Sequence, residues 1–222
     1  MLRGVRLVLL GKQGAGKGTQ CVQLSRHYVV PHISTGDIFR AAMKAGTPMG
    51  KLAKTFVDDG QLVPDEIVIG IAAERLSERD ARSRGFVLDG FPRTTHQAEA
   101  LDKLLTPLKL DAVIDLKVPT ELVLERLASR RVCSSCGHNY SVQVPPSHKW
   151  RCDHCGGDVI QREDDREEAI KVRLDAYEEQ TSPLISWYQH RGLLETVDGS
   201  QSPEAVFDDA VAAITRRHHG NP

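Results

Sequence analysis

The chain has 222 residues, a formal net charge of −1 from 29 Lys and Arg against 30 Asp and Glu, and 40% apolar residues. That length and balance suit one compact core with room for inserted modules, and they exclude intrinsic disorder and collagen-like repeats. Near-neutral charge argues against a surface devoted to nucleic acid, and the apolar runs Leu7 to Leu10 and Ile67 to Ala73 are too short to span a bilayer. Met1-Leu2-Arg3 does not lead into a signal-peptide core, so a soluble, cytoplasmic protein with no membrane partner is expected. Two features of the composition need explaining. Of the 29 cations 19 are Arg, whose planar forks suit phosphate, and of the five cysteines four lie between Cys133 and Cys155 while Cys21 stands alone.

Val5 to Leu10 is a β-branched and Leu-rich run ending at Gly11, which predicts a central strand buried on both faces. A helix is expected from Lys17 to about Tyr28, and a returning strand over Val29 to Ile33. Two helical stretches, about Ile38 to Ala45 and Met49 to Asp58, flank Gly46-Thr47-Pro48 and end at Gly60; a third runs from Glu66 to Arg79. With no strand between Thr35 and Pro64, that segment reads as a small helical insertion beside the sheet. Further strands are predicted at Phe86 to Leu88, Ala112 to Val118 and Leu193 to Val197. Helices are predicted at Thr94 to Leu105, Thr120 to Arg131, Asp164 to His190 and Pro203 to Arg217. This alternation means a parallel sheet wrapped by helices. Between Val132 and Gln161 the helical period gives way to Gly, Pro, Ser, His and the four cysteines, marking a second inserted module. The tail from Arg216 to Pro222 reads as frayed.

After the first strand comes Gly11-Lys12-Gln13-Gly14-Ala15-Gly16-Lys17-Gly18-Thr19, P-loop spacing as far as Gly16-Lys17, with Gly18 where the strict pattern has Ser or Thr and the hydroxyl displaced to Thr19. Glycines let successive backbone N–H groups converge on phosphate oxygens, the helix N-terminus adds its positive end, and Lys17 would reach the β- and γ-phosphates. Asp89 ends an apolar strand where a P-loop protein places a carboxylate that holds Mg²⁺ through water or helps order the loop. Arg93 follows at the carboxyl edge of the same strand, where such sheets bind ligands. Arg126 and Arg130, four apart, are expected on one helix face, with Arg162 and Arg173 beyond the cysteine module and Arg40 in the helical insertion.

The segments GKGTQ, ISTGDIFR, LDGFPRT and REDDREEAIKVRL, in register over essentially the whole chain, resemble the adenylate kinase family, in its bacterial type with a long zinc-binding lid. The resemblance implies an α/β fold: a P-loop kinase with a parallel five-stranded sheet, a helical NMP-binding insertion and a zinc-binding lid. It implies a core of residues 1–34, 64–130 and 163–222, an insertion of 35–63 and a lid of 131–162. The implied reaction is ATP + AMP = 2 ADP, with ATP, AMP and ADP as partners, Mg²⁺ as cofactor, and a monomer as the working form. Residue by residue, Gly14, Ala15, Gly16, Lys17, Gly18 and Thr19 would hold ATP phosphates, joined by Arg130, Asn139, Tyr140 and Gln201. Arg40 and Arg93 would clamp the AMP phosphate. Thr35, Gln61, Leu62, Val63, Gln97 and the Gly90-Phe91-Pro92 turn would contact AMP, with Arg162 and Arg173 bridging the transferred group. Lys17, Arg93, Arg126, Arg130, Arg162 and Arg173 are the residues expected to carry the charge of the reaction.

Thr35 and Gln97 carry the specificity argument: the family's kinases for UMP and CMP tend to have a smaller residue at the Thr35 position, and the Gln97 amide can pair with an adenine edge. Gln13 departs from the family's usual Pro but leaves the phosphate-facing N–H groups in place. Because the attacking phosphate oxygen is already anionic, no general base is required, and a lid that closes only over nucleotide implies an open protein without it.

Cys133-x₂-Cys136, a 15-residue gap and Cys152-x₂-Cys155, with Gly after each pair, spell a structural zinc site with four sulfur ligands. Iron in the same cage, or two disulfides, are the competing readings. Cys21 is expected to be a small buried apolar residue. A P-loop ATPase whose zinc ribbon binds nucleic acid or protein is the rival from another class. It is disfavoured because Val132 to Gln161 mixes Lys149 and Arg151 with Asp153 and Asp158 and offers only Tyr140 and Trp150 for stacking. A kinase for another nucleoside monophosphate is the closer rival.

Overall fold

The computed structural model describes residues 4–58 and 61–219. The expected stop at Gly60, the reading of Met1-Leu2-Arg3 and the last three residues of the tail lie outside them. In chain order, β1 (Arg6–Leu10) enters the glycine-rich turn and α1 (Lys17–Tyr28). After β2 (His32–Ser34) come α2 (Thr35–Lys44), α3 (Pro48–Val57), α4 (Asp65–Ser77) and the short α5 (Arg79–Arg84). Next are β3 (Phe86–Asp89), α6 (Thr95–Leu105), β4 (Ala112–Lys117) and α7 (Thr120–Ser129). Three short strands follow, β5 (Arg130–Cys133), β6 (Asn139–Ser141) and β7 (Val159–Ile160). The chain closes with a 3-10 turn at Glu163–Asp165, α8 (Glu167–Ala176), a π-helical turn at Tyr177–Thr181, α9 (Pro183–His190), β8 (Leu194–Asp198) and α10 (Pro203–His219).

The large sheet is parallel throughout, in the order β2-β3-β1-β4-β8. The chain passes from β1 to one side for β3 and β2 and to the other for β4 and β8, so β1 marks the switch point where such sheets bind ligands beyond their carboxyl ends. Residues of β1 alternate between two cores. Val8 and Leu10 join Phe86, Leu88, Val113 and residues of α2 to α6 and α9, whereas Leu7 and Leu9 join Val87, Ile114, Leu116 and residues of α1, α7 and α10. Burial on both faces explains the uninterrupted apolar run.

Side-chain caps set the helix starts on the ligand side. Ser34 Oγ accepts from Asp37 N at 3.2 Å, Thr47 Oγ1 from Gly50 N at 3.0 Å, and Thr94 Oγ1 from Gln97 N at 3.2 Å. The cysteine module is a small antiparallel sheet, β6-β5-β7.

Three expectations change. Asp164 to His190 is not one helix: a π-helical turn at Tyr177–Thr181 divides it, and Pro183, which lacks an N–H, begins α9. Arg130 does not share a helix face with Arg126, because α7 ends at Ser129 and Arg130 is already extended and paired with Ser141 of β6. The tail stays helical to His219, and Arg217 Nε is anchored on the Asp111 carbonyl at 3.0 Å. The cysteine module lies against the helical segment and the glycine turn. Lys44 Nζ of α2 donates to the Ser134 carbonyl at 3.0 Å, and Asn139 Nδ2 lies 3.9 Å from where a Cβ on Gly18 would sit. Among the described residues no helix is long and apolar enough to cross a membrane.

Candidate active site

The glycine turn owes its course to two residues. Gly14 has φ 82°, and a Cβ there would press on Leu127 Cγ at 2.9 Å and the Val123 carbonyl at 3.0 Å. Gly16, at φ 97°, precedes α1 with nothing within 4 Å of where a Cβ would stand, so it serves conformation rather than clearance. Ala15 is buried and Thr19 exposed. Lys17 Nζ folds back onto the Gly11 and Lys12 carbonyls at 2.6 and 2.8 Å. Burial pushes this ammonium down to about 8, against the pull of Asp89 and with help from Arg93 and Arg173. Both carbonyl contacts must be exchanged for Lys17 to reach a phosphate.

Two clefts flank this turn. The first lies under α2, lined by Thr35, Arg40, Gln61, Leu62, Val63 and Gln97 among others; the second, beside the P-loop, is lined by Gln13, Lys17, Pro92 and Tyr177 among others. Gly90 and Arg93 line both. Arg93 Nε donates to the Gly90 carbonyl at 2.9 Å, as does Thr35 Oγ1 at the same distance. Burial first, then Arg173 and Arg40, lower Arg93 to about 10 against the pull of Asp89. Phe91 is wholly buried in the core, so only its backbone can face a ligand.

The remaining cations carry their own counterions. Arg130 grips Asp165 with a fork of two hydrogen bonds, the Nε one at 2.7 Å, and Arg173 reaches Asp164 at 3.1 Å and Asp165 at 3.2 Å. These cations hold Asp164 below its ordinary value against burial. Arg40 pairs with Asp37 in α2. Arg162 is less satisfied: burial pushes it down to about 10, its Nε is enclosed without an acceptor, and its terminal nitrogen is 3.4 Å from Asn139 Oδ1. A buried guanidinium N–H without an acceptor is a donor waiting for an oxygen.

Other expected residues are placed differently. Gln97 lies in the first cleft, but Asp65 Oδ1 takes its amide donor at 2.7 Å and the Arg93 N–H takes its oxygen at 2.8 Å. Tyr140 donates to Cys152 Sγ at 3.4 Å and accepts from Asp153 N at 2.8 Å, so its hydroxyl is engaged within the cysteine module. Gln201 is exposed and bonded to Asp209 and the Asp198 carbonyl. Arg126 donates to the Gly199 carbonyl at 2.9 Å, tying α7 to the loop after β8. The residues that sequence reasoning missed are Asp65, Asp164 and Asp165. The last two stand beside Arg162 in the REDDREEAIKVRL motif, where an acid pair next to phosphate-seeking arginines could have been read as counterions.

Two metal assignments can be checked against the donors. Asp89 is nearest to His32, whose Nε2 stands 3.9 Å from its Oδ2. Burial raises its carboxyl, but the neighbouring His32 and Lys17 outweigh burial and hold it below its ordinary value. An ionised carboxylate with free lone pairs near Gly18 fits a water-bridged Mg²⁺. In the lid, Sγ of Cys133 and Cys155 are 3.4 Å apart, those of Cys136 and Cys152 are 3.6 Å apart, and all four lie within 4.8 Å of one another. Zn–S bonds of about 2.3 Å in a tetrahedron require roughly 3.8 Å between sulfurs, so the donor set fits zinc. N–H groups of Ser135 and Cys136 point at Cys133 Sγ at 3.4 and 3.5 Å, as they would toward a thiolate.

A parallel sheet of this order, a P-loop at its switch point and two clefts joined at a buried arginine define a P-loop kinase. Comparison with known proteins agrees: the family model described as adenylate kinase matches residues 9–193. An adenylate kinase of Desulfitobacterium hafniense is 52% identical over 217 residues, covering 96% of this chain and 100% of that protein. One of Moorella thermoacetica is 54% identical, covering 91% and 94%, and one of Thermodesulfovibrio yellowstonii is 49% identical, covering 96% and 100%. The chain belongs to the adenylate kinase family.

Proposed function

We propose that the two clefts are the two nucleotide sites of the family's reaction and that the γ-phosphoryl group passes between them at Arg93. The chain is a nucleoside monophosphate kinase, catalysing ATP + AMP = 2 ADP. The observation that carries the site reading is the sharing of Gly90 and Arg93 by both clefts, since a transfer point must be reached by both phosphates.

AMP takes the cleft under α2, its phosphate between Arg40 and Arg93, and ATP takes the P-loop with Gly14 to Thr19 around its phosphates. An AMP phosphate oxygen, already anionic, attacks the γ-phosphorus in line. The bond to the β–γ bridging oxygen breaks, and that oxygen stays on the departing ADP. The reaction then requires positioning and positive charge rather than a base. Lys17 leaves the Gly11 and Lys12 carbonyls to follow the moving charge, and Arg162 and Arg173 close on the equatorial oxygens. Arg130 orients this group through Asp165. Mg²⁺, when bound with the nucleotide, supplies further charge at the phosphate oxygens, held through water by Asp89. Segments 35–63 and 131–162 act as AMP-binding insertion and zinc lid on a core of 1–34, 64–130 and 163–222, in a cytoplasmic monomer.

The test supplies ATP and Mg²⁺ with AMP, UMP, CMP or GMP and measures diphosphate formation. AMP should be the preferred acceptor by more than tenfold, because Thr35 and Gln97 line the cleft under α2 and the second N–H of the Gln97 amide, beyond the one given to Asp65, is left to pair with an adenine edge. An equal or greater rate with another acceptor sinks the AMP assignment.

A further inference from the structure

Below the P-loop, three side chains from three elements meet that the phosphoryl transfer does not use together. Cys21 comes from α1, His32 from β2 and Asp89 from the end of β3, and their Sγ, ring nitrogen and carboxylate oxygen all lie within 4.8 Å of one another. His32 Nε2 is shut off from solvent, has no hydrogen-bond partner, and stands 3.9 Å from Asp89 Oδ2. Cys21 is wholly buried. A buried imidazole nitrogen without a partner is uncommon enough to need a reason.

We propose that Cys21, His32 and Asp89 form a second, inhibitory site for a thiophilic divalent cation such as Zn²⁺, distinct from the four-cysteine cluster of the lid. Donors around a tetrahedral ion with bonds of about 2.0–2.3 Å stand roughly 3.3–3.8 Å apart. The three groups reach that spacing with side-chain shifts of about 1 Å, and the fourth position is left to water or a nucleotide phosphate. The set of one sulfur, one imidazole nitrogen and one carboxylate suits Zn²⁺ or Cd²⁺ and discriminates against Mg²⁺, which takes oxygen ligands. On binding, the Cys21 thiol gives its proton to solvent, so thiolate and carboxylate together neutralise the ion. The ion would enter past His32 and Asp89, whose side chains keep 20% and 17% of their exposure. Lys17 lies nearby, but its Nζ is held on the Gly11 and Lys12 carbonyls. Inhibition follows from the use of Asp89: a carboxylate bound to zinc no longer serves the nucleotide's Mg²⁺, and it lies 3.7 Å from the Cβ position of Gly18, so the P-loop feels the change.

The experiment uses the full chain with its lid metal in place, equilibrated with micromolar Zn²⁺ and weighed by native mass spectrometry. The wild type should retain one more zinc ion than either Cys21→Ala or His32→Gln, with the lid cysteines intact in all three. Cadmium titration should show a thiolate-to-metal absorbance in the wild type beyond that of Cys21→Ala. The same zinc should raise the KM for MgATP of the wild type by about tenfold or more and leave each variant within about twofold of its own zinc-free value. Because Cys21 sits in the core, His32→Gln keeps the test open if Cys21→Ala misfolds. Equal zinc content in wild type and variants overturns the site, and extra zinc with an unchanged KM overturns its inhibitory role. Neither result bears on the identity of the phosphate acceptor, which the nucleotide assay decides separately.

Discussion

Arg93 is a cation with little protein counter-charge of its own: its Nε bonds a carbonyl, and its neighbours include Arg173 and Arg40. Such a group is stabilised by substrate phosphate more than by the fold. Arg93→Ala should therefore lower kcat by orders of magnitude while the melting temperature holds or rises slightly. Steady-state kinetics beside a thermal melt decide this, and near-normal turnover would remove Arg93 from the transfer point. Lys17 gives a prediction in pH. Its folded value of about 8 lies below the ordinary 10.5. Between those two pH values the unfolded chain binds more protons than the folded one, so this residue makes stability rise as pH climbs from 8 toward 10.5. Lys17→Met lacks the contribution. A difference between the two proteins' unfolding free energies that stays flat over that window would refute the buried, strained ammonium. These residue-scale features were legible in part. The glycines and Lys17 are contiguous because one turn of backbone makes all the demands on them. The Gln97 oxygen is taken by the Arg93 N–H four residues away, but the commitment of its amide donor depends on Asp65, which is 32 residues away, and no local pattern announces it.

At the scale of elements, Asp65 joins α4 to α6, accepting from Thr94 Oγ1 at 2.6 Å and from Gln97 Nε2 at 2.7 Å. Asp65→Ala frees the α6 cap and the cleft-lining amide together. Expected is a rise of about tenfold in the KM for AMP, from loss of about 1–2 kcal/mol of positioning, with the KM for ATP within about twofold. Parallel changes in both constants would show that Asp65 supports the whole fold and not the AMP side. The cysteine module has a small core of Cys133, Cys152 and Val159 with Tyr140 packed beside them, so a metal held by the four sulfurs would supply much of its stability. Chelation should lower the melting temperature clearly while turnover, measured where the protein is still folded, falls less. If turnover fell in step with stability, a role for the metal in the chemistry would have to be admitted. The strands and most helices were readable because apolar period and capping residues coincide in them. The end of α7 was not, since Arg130 has good helix propensity and is pulled into β5 by pairing with Ser141 across the lid sheet. The π-helical turn was missed for a related reason: nothing in Tyr177 to Thr181 forbids an α-helix, and packing decides.

For the whole molecule, the contact between Lys44 and Ser134 is a direct tie from the helical insertion to the lid. It is exposed, and the net worth of such a bond is about 0.5–1.5 kcal/mol. Lys44→Ala should then raise the KM for both nucleotides by roughly two- to tenfold, leaving the melting temperature within a degree or two. Stopped-flow or single-molecule measurement of lid motion would show faster opening; unchanged opening would assign closure to the nucleotides alone.

The pairing of Arg130 and Arg173 with Asp164 and Asp165 bears on how such a molecule can run in both directions. A phosphate arriving at these arginines does not meet bare cations; it enters a competition that the chain's own carboxylates have already joined. In the proposed reaction, affinity is then the difference between two partners competing for the same arginines. The acid pair acts as a built-in ballast, setting the floor below which the lid's hold on any polyphosphate cannot deepen.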